Sequence, residues 1–257
     1  MASVPAVLTS EWTKIRTVAS TTWTLLIALV VTVGMSVGLC ALMKANFKDL
    51  SEQDKLTFDP TSISMSGMML GQLAMIVFGV LVVGNEYSSG MIRTSLAAVP
   101  QRTTFLLSKI VVAGVLTLVV GQVAAFCSFF LGQALLGDHS TTIGDDNVLR
   151  AVAGGGLYMG LIGIFAMGVA SILRSSMLSL GILMPLFFLI SPILNSVSQT
   201  KKIAQFLPDQ AGTRMTQVID NPDSSIAYGP WGGFAILVGW VVLAVVCALV
   251  LLKKRDA

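Results

Sequence analysis

"IVVAGVLTLVVGQVAAFCSFFLGQALL", residues 110–136, holds no charged side chain from end to end. About 20 apolar residues are enough to cross a hydrocarbon core of roughly 30 Å as a helix, so this run is long enough to span a membrane. The rest of the chain agrees. Only 11% of the 257 residues are charged, whereas 54% are hydrophobic and the mean hydropathy is +0.84. A soluble domain carries roughly a quarter charged residues to cover its surface. This chain does not, so its solvent is largely lipid.

Working outward, five further uncharged runs of similar length lie at 22–43, 65–84, 151–173, 177–195 and 231–252. Lipid offers backbone groups no other partner, and the runs lack the alternation of a barrel strand, so each reads as a helix. The expected fold class is all-α: a polytopic membrane protein with six transmembrane helices in a single domain, residues 1–257. The first run is not an obvious cleaved signal peptide, since a 21-residue preface precedes it and no clear small-x-small site follows. Cys40, Cys127 and Cys247 fall in separate spans, which argues against a disulfide framework or metal cluster. His139 stands alone in a polar loop. No metal is expected.

Six spans place both termini on one side. With the termini in the cytoplasm, the inner segments carry nine basic residues, including Lys14, Arg16, Arg93, Arg102, Lys109, Arg174 and the terminal "KKR", against Glu11, Glu86 and Asp256. The outer segments carry seven basic and ten acidic residues. Lys and Arg set topology, so the expected location is the cell (plasma) membrane, multi-pass, with both termini cytoplasmic. The net charge of +3 then reads as anchoring charge, and no nucleic-acid partner is expected.

Ahead of the first span, Leu8, Trp12, Ile15 and Ala19 fall on one helical stripe, with Glu11 and Lys14 off it. Such a helix, with Trp12, Lys14, Ile15 and Arg16, suits a membrane interface; a soluble helix packed on the protein is the alternative. Pro185 and Pro192 predict a kinked fifth span. The stretch "KKIAQFLPDQAGTRMTQVI", at 201–219, predicts two short helices lying on or dipping into the outer leaflet, interrupted by Pro208. Gly34/Gly38, Gly67/Gly71 and Gly156/Gly160 have the spacing that lets helices approach closely.

The chain has no phosphate-cradling G-x-x-x-x-G-K-[ST] motif, no H-E-x-x-H, no C-x-x-C and no nucleophile elbow. It is not expected to be an enzyme. Ion-coupled carriers keep ionisable groups within the membrane, yet the polar candidates inside these runs are the neutral Gln72, Gln122, Gln133 and Asn195. They either line a substrate path or bond to neighbouring helices. Energy, if used, comes from a partner.

Between the second and third runs lies "NEYSSGMIRTSLAAVPQRTTFLLSK", residues 85–109. Ser88 or Ser89 can cap a helix start, Ile92, Leu96 and Val99 form a short apolar stripe, and Pro100 ends the element. Thr103 or Thr104 can start the next helix. The expected form is helix, proline turn, helix, held at the membrane surface. Glu86 and Arg93 could pair, or each could contact a partner, while Arg102 and Lys109 hold the segment at anionic headgroups.

With Glu86, Gly90, Ile92, Leu96, Pro100, Arg102, Leu106 and Lys109 in place, this segment resembles that of the permease subunits of type-2 ATP-binding-cassette (ABC) exporters, in their actinobacterial form. "LTSEWTKIRT" before the first span, "LPDQAG" at 207–212, "PWGGFAIL" at 230–237 and the terminal "KKRDA" are similar to other parts of that family, so the resemblance runs through nearly the whole chain. It implies a permease dimer, with a second copy or a paralogue, that works with two separately encoded ABC ATPase subunits. ATP and Mg would be bound by the ATPase and no cofactor by this chain. The resemblance further implies that Glu86, Gly90, Ile92, Arg93, Leu96, Pro100 and Arg102 dock on the ATPase together with the N-terminal helix. The implied cargo is an amphipathic drug, antibiotic, lipid or peptide moved out of the cell. A non-transporting membrane partner of an ABC ATPase, a scaffold or immunity protein, is the main alternative; a secondary carrier or channel is the other.

Overall fold

The computed structural model describes residues 3–49, 51–56, 58–218 and 226–254. Ile219, Arg255 and Asp256, which entered the sequence reading, lie outside them. The thirteen α-helices among the described residues are α1 (Val4–Thr17), α2 (Ala19–Asn46), α3 (Glu52–Leu56), α4 (Pro60–Met65), α5 (Met68–Ser88), α6 (Met91–Ala98), α7 (Arg102–Leu136), α8 (Val148–Leu173), α9 (Ser176–Pro185), α10 (Ser191–Ser196), α11 (Ser198–Ala204), α12 (Pro208–Thr213) and α13 (Pro230–Lys254). No strand occurs among them. Six helical stretches are long and apolar enough to cross a membrane: 19–49, 60–88, 102–139, 148–173, 176–196 and 230–254. The chain is an all-α polytopic membrane protein, as its composition predicts.

Helix α8 is the hub. It packs against α5, α7 and α13, and glycine is what lets it do so. A Cβ at Gly160 would come 2.4 Å from Leu118 of α7, and one at Gly79 of α5 would come 2.4 Å from the carbonyl oxygen of Gly163. Thr117 uses the same closeness, donating its hydroxyl to the Gly160 carbonyl oxygen at 3.2 Å. Gly67 and Gly71 likewise admit Thr32 and Ser36 of α2. Two of the three glycine pairs are therefore helix joints. Gly34 and Gly38 are exposed, with nothing near them.

The fifth span breaks where its prolines sit. Helix α9 ends at Pro185, a π-helical turn covers Leu186–Ile190, and α10 opens at Ser191 with Pro192 in its first turn. Proline removes a backbone donor and crowds the preceding turn, and a π turn absorbs the resulting offset. The chain then makes the two short helices expected around Pro208. Of these, α12 is set into the bundle rather than laid on it: Pro208, Asp209, Ala211 and Gly212 are all buried. Gly212 meets the Tyr158 ring of α8 so closely that no Cβ would fit.

The bundle thus has two ends. One, the terminal end, gathers α1, α6, the close of α5 and α13 and the start of α7. The other, the loop end, gathers α4, α10–α12 and the starts of α8 and α13. Arg102 ties the terminal end together, donating to the Leu252 carbonyl oxygen at 2.7 Å. It caps the close of α13, where carbonyls lack intrahelical partners. The sequence alone places Arg102 among headgroups and does not show this tie to α13.

Candidate functional site

At the terminal end, two carboxylates and two ammonium groups close into a square. Lys14 Nζ donates to Glu11 Oε1 at 2.7 Å and to Glu86 Oε1 at 2.8 Å. Lys109 Nζ donates to Glu11 Oε2 at 2.5 Å and to Glu86 Oε1 at 2.9 Å. The corners come from α1, α5 and α7, and Lys14 also reaches Ser95 of α6 at 3.3 Å. Glu11, Glu86 and Lys109 are 1%, 4% and 3% exposed, so three corners lie inside the protein, while the Lys14 side chain is 29% exposed. Both ammonium groups stand over the Phe105 ring, 5.6 and 5.4 Å from its centroid, where the π face attracts them.

Charge balance makes such burial tolerable. Each ion alone would cost several kcal/mol to remove from water, whereas two of each sign in mutual hydrogen-bonding contact offset one another. Burial pulls the Lys14 pKa down, but the hydrogen bonds and charges of Glu11 and Glu86 overcome it and leave the ammonium above its usual 10.5. The square is imperfect at one atom: Glu86 Oε2 is buried without a hydrogen-bonding partner.

Several expectations change here. The buried face of α1 is Val7, Glu11 and Ile15, so Glu11, placed off the apolar stripe in the sequence, points inward. Trp12 is half exposed between two apolar clefts, against α7 on one side and α2 on the other, and Arg16 is exposed. Glu86 pairs with lysines and not with Arg93, because Gly90 adopts φ +70° and turns α6 away from α5. Lys109 is a corner of the square, not a headgroup anchor. Ser88 and Ser89 do not cap α6; both hydroxyls donate back to the Asn85 carbonyl at the close of α5. Nor does a threonine cap α7, which opens at Arg102 with Gln101 before it.

Within α6, Ile92 is buried and Leu96 partly so, both in a cluster with Phe105, Leu106, Ala248 and Leu252. Arg93, Thr94, Ala97 and Ala98 are exposed, as is Pro100 after the helix. The helix therefore has an inward apolar side joined to α7 and α13 and an outward side carrying one arginine.

The loop end holds the second site, a cavity of about 510 Å³. Gln72, Tyr158, Met68, Phe187 and Asp209 form its buried wall; Met69, Asn195 and Ser196 lie toward its rim. Tyr158 donates its hydroxyl to Gln72 Oε1. Asp209 Oδ2 accepts from Ser191 Oγ at 2.5 Å and from Gln210 Nε2 at 2.9 Å. Burial pushes the Asp209 carboxyl up from 3.8, and the Ser191 hydroxyl, the Gln210 side chain and nearby backbone N–H groups temper the rise. Behind it, Tyr228 donates to the Gln205 carbonyl oxygen, and burial pushes its phenol up to about 12.

The four neutral side chains expected inside the spans divide two and two. Gln72 and Asn195 line the cavity. Gln122 donates to the Ala153 carbonyl oxygen at 3.0 Å, and Gln133 joins Pro60, Ser64 and Thr141, so both serve as helix joints. His139 stacks on Phe47. Sequence reasoning missed Glu11, Tyr158, Ser191, Asp209 and Gln210. A visible signal existed for Glu11, which shares the i, i+4, i+8 face of Val7 and Ile15. For Asp209 the signal was thinner: a single acid directly after a proline.

The family described as "ABC-2 family transporter protein" matches residues 7–192, from α1 through the fifth span. The chain belongs to that family. No curated protein matches it. As an ABC-2 permease it is the membrane subunit of an ABC transporter, and membership implies association with an ABC ATPase. The match includes all four corners of the charge square and stops before Asp209.

Proposed function

We propose that this permease is the transmembrane subunit of an ATP-driven exporter in the plasma membrane, with both termini and α6 in the cytoplasm. Two copies, or this chain and a paralogue, would pair across the membrane and work with two ATPase subunits that bind ATP and Mg. The observation that carries the reading is the buried charge square. It joins the N-terminal helix and the α5–α7 connection, two elements with surface outside the spans at the terminal end, to the spans themselves.

The exposed side of α6, with Arg93 at its centre, is the surface offered to the ATPase. A push there reaches α7 and α13 through Ile92 and Leu96, and reaches α1 through Ser95 and Lys14. Packed side chains and ion pairs resist compression, so the four elements move as one lever when the ATPase dimer closes. The fifth span, already broken at its π turn, is the part of the bundle able to bend in answer. An amphipathic cargo would leave past the inset α12.

The test is purification of the tagged chain from its native membrane to recover the associated ABC ATPase, followed by reconstitution of the complex in lipid. The complex should co-purify and hydrolyse ATP. Arg93→Ala should leave assembly intact and reduce transport about tenfold, with futile hydrolysis persisting. Normal export by that variant at normal expression overturns the docking assignment.

A further inference from the structure

The cavity at the loop end is acidic in a way the spans are not. Asp209 is 3% exposed and lines the cavity wall. Oδ2 accepts from the Ser191 hydroxyl and the Gln210 side chain, while Oδ1 is buried with no side-chain donor. A buried carboxylate without a counter-charge is costly. No Lys, Arg or His stands among the described residues lining the cavity. Its remaining polar groups are amides and hydroxyls, and its apolar wall is Met65, Met68, Met69 and Phe187. Methionine thioethers and a phenyl ring suit a body of variable shape.

We infer that this cavity binds amphipathic molecules carrying a protonated amine, with the Asp209 carboxylate as counter-charge for the ammonium and the Met65–Phe187 wall covering the apolar body. The inference rests on the transport reading above and narrows its substrate class to organic cations. Four features fit one occupant: a carboxylate in no ion pair among the described residues, no cation among the described lining residues, a volume of about 510 Å³ and an adaptable apolar wall. An anionic amphiphile would find no counter-charge in the cavity and would be repelled by the carboxylate. A neutral one would bury its apolar body but leave the carboxylate without a counter-charge. An ammonium supplies charge and donors together, and charge-assisted hydrogen bonds are the stronger kind.

The test measures binding alone, on the full chain in lipid nanodiscs without ATPase or nucleotide. Failure of the coupling reading therefore leaves the result untouched. The probe is N-dansyl-diaminooctane, whose free end is an ammonium, compared with the same molecule N-acetylated. The two share an apolar body and differ in charge. The amine should bind about tenfold more tightly, equivalent to about 1.4 kcal/mol. Asp209→Asn should bring the two within about twofold by weakening the amine alone. Equal affinities in the wild-type protein, or a preference that survives Asp209→Asn, overturn the proposal. Because that variant could fail to fold, location is read independently in the wild-type protein with a diazirine-bearing amine. Crosslinks should map to Met65–Gln72 or Phe187–Thr213 and be displaced by the dansyl amine. Crosslinks confined to other segments refute the site.

Discussion

Glu86 is the corner of the charge square that both lysines share through a single oxygen. Replacing it by glutamine leaves the buried Lys109 and the part-exposed Lys14 with only Glu11 between them. Breaking a buried pair from one side typically costs about 3–5 kcal/mol, so Glu86→Gln should unfold at markedly lower temperature in nanodiscs. Adding Lys109→Met restores charge balance and leaves the Glu11–Lys14 pair. The double variant should recover at least half of the loss, and an additive result would show that the two side chains are not coupled. Asp209 makes a separate prediction about pH. Its folded pKa lies above 3.8, so its stabilising contribution is complete below that value and is lost as pH rises through the folded pKa. Thermal unfolding followed upward from about pH 4 should show that decline in the wild-type protein and a flatter profile in Asp209→Asn. Neither group was legible as buried. Charge in a short loop reads as solvent-facing by default, and Lys109, the buried partner of Glu11, lies 98 positions along the chain, beyond any local spacing.

The elements were legible where the cause is local. Pro185 and Pro192 announced a broken fifth span, and Pro100 announced the gap between α6 and α7. Helix starts were less legible, because serine and threonine serve equally well as caps and as donors to the preceding turn. Ser88 and Ser89 took the second role once Gly90 supplied the left-handed turn. The joint between α7 and α13 was invisible for a different reason: Arg102 caps a helix that closes 150 residues later. Arg102→Met keeps the side chain's bulk and removes the cap. Hydrogen exchange in the last turn of α13, up to Leu252, should then accelerate about tenfold, while α8 stays protected. Unchanged exchange there would mean that the cap contributes nothing.

At the scale of the whole molecule, composition alone fixed the class, since a chain this poor in charge has few other ways to be solvated. Span number followed from run length. The pairing of helices followed from glycine faces only in part, because spacing shows that a close approach is possible and not which helix makes it. Orientation rests on a modest basic bias and can be read directly. In a chain with Cys127 and Cys247 replaced by alanine, Ser140→Cys should react with a membrane-impermeant maleimide in intact cells. Ser89→Cys should react only after permeabilisation. The reverse pattern would invert the topology and place α6 out of reach of any ATPase.

The charge square also bears on how the protein is made. Its corners leave the ribosome in the order Glu11, Lys14, Glu86, Lys109, and the first two already neutralise each other at 2.7 Å. When α5 enters the membrane, Glu86 adds a negative charge that only Lys14 is there to meet. Balance returns once α7 follows. The third span is thus the partner that completes the second, and the translocation machinery must hold the two together before either is released into lipid.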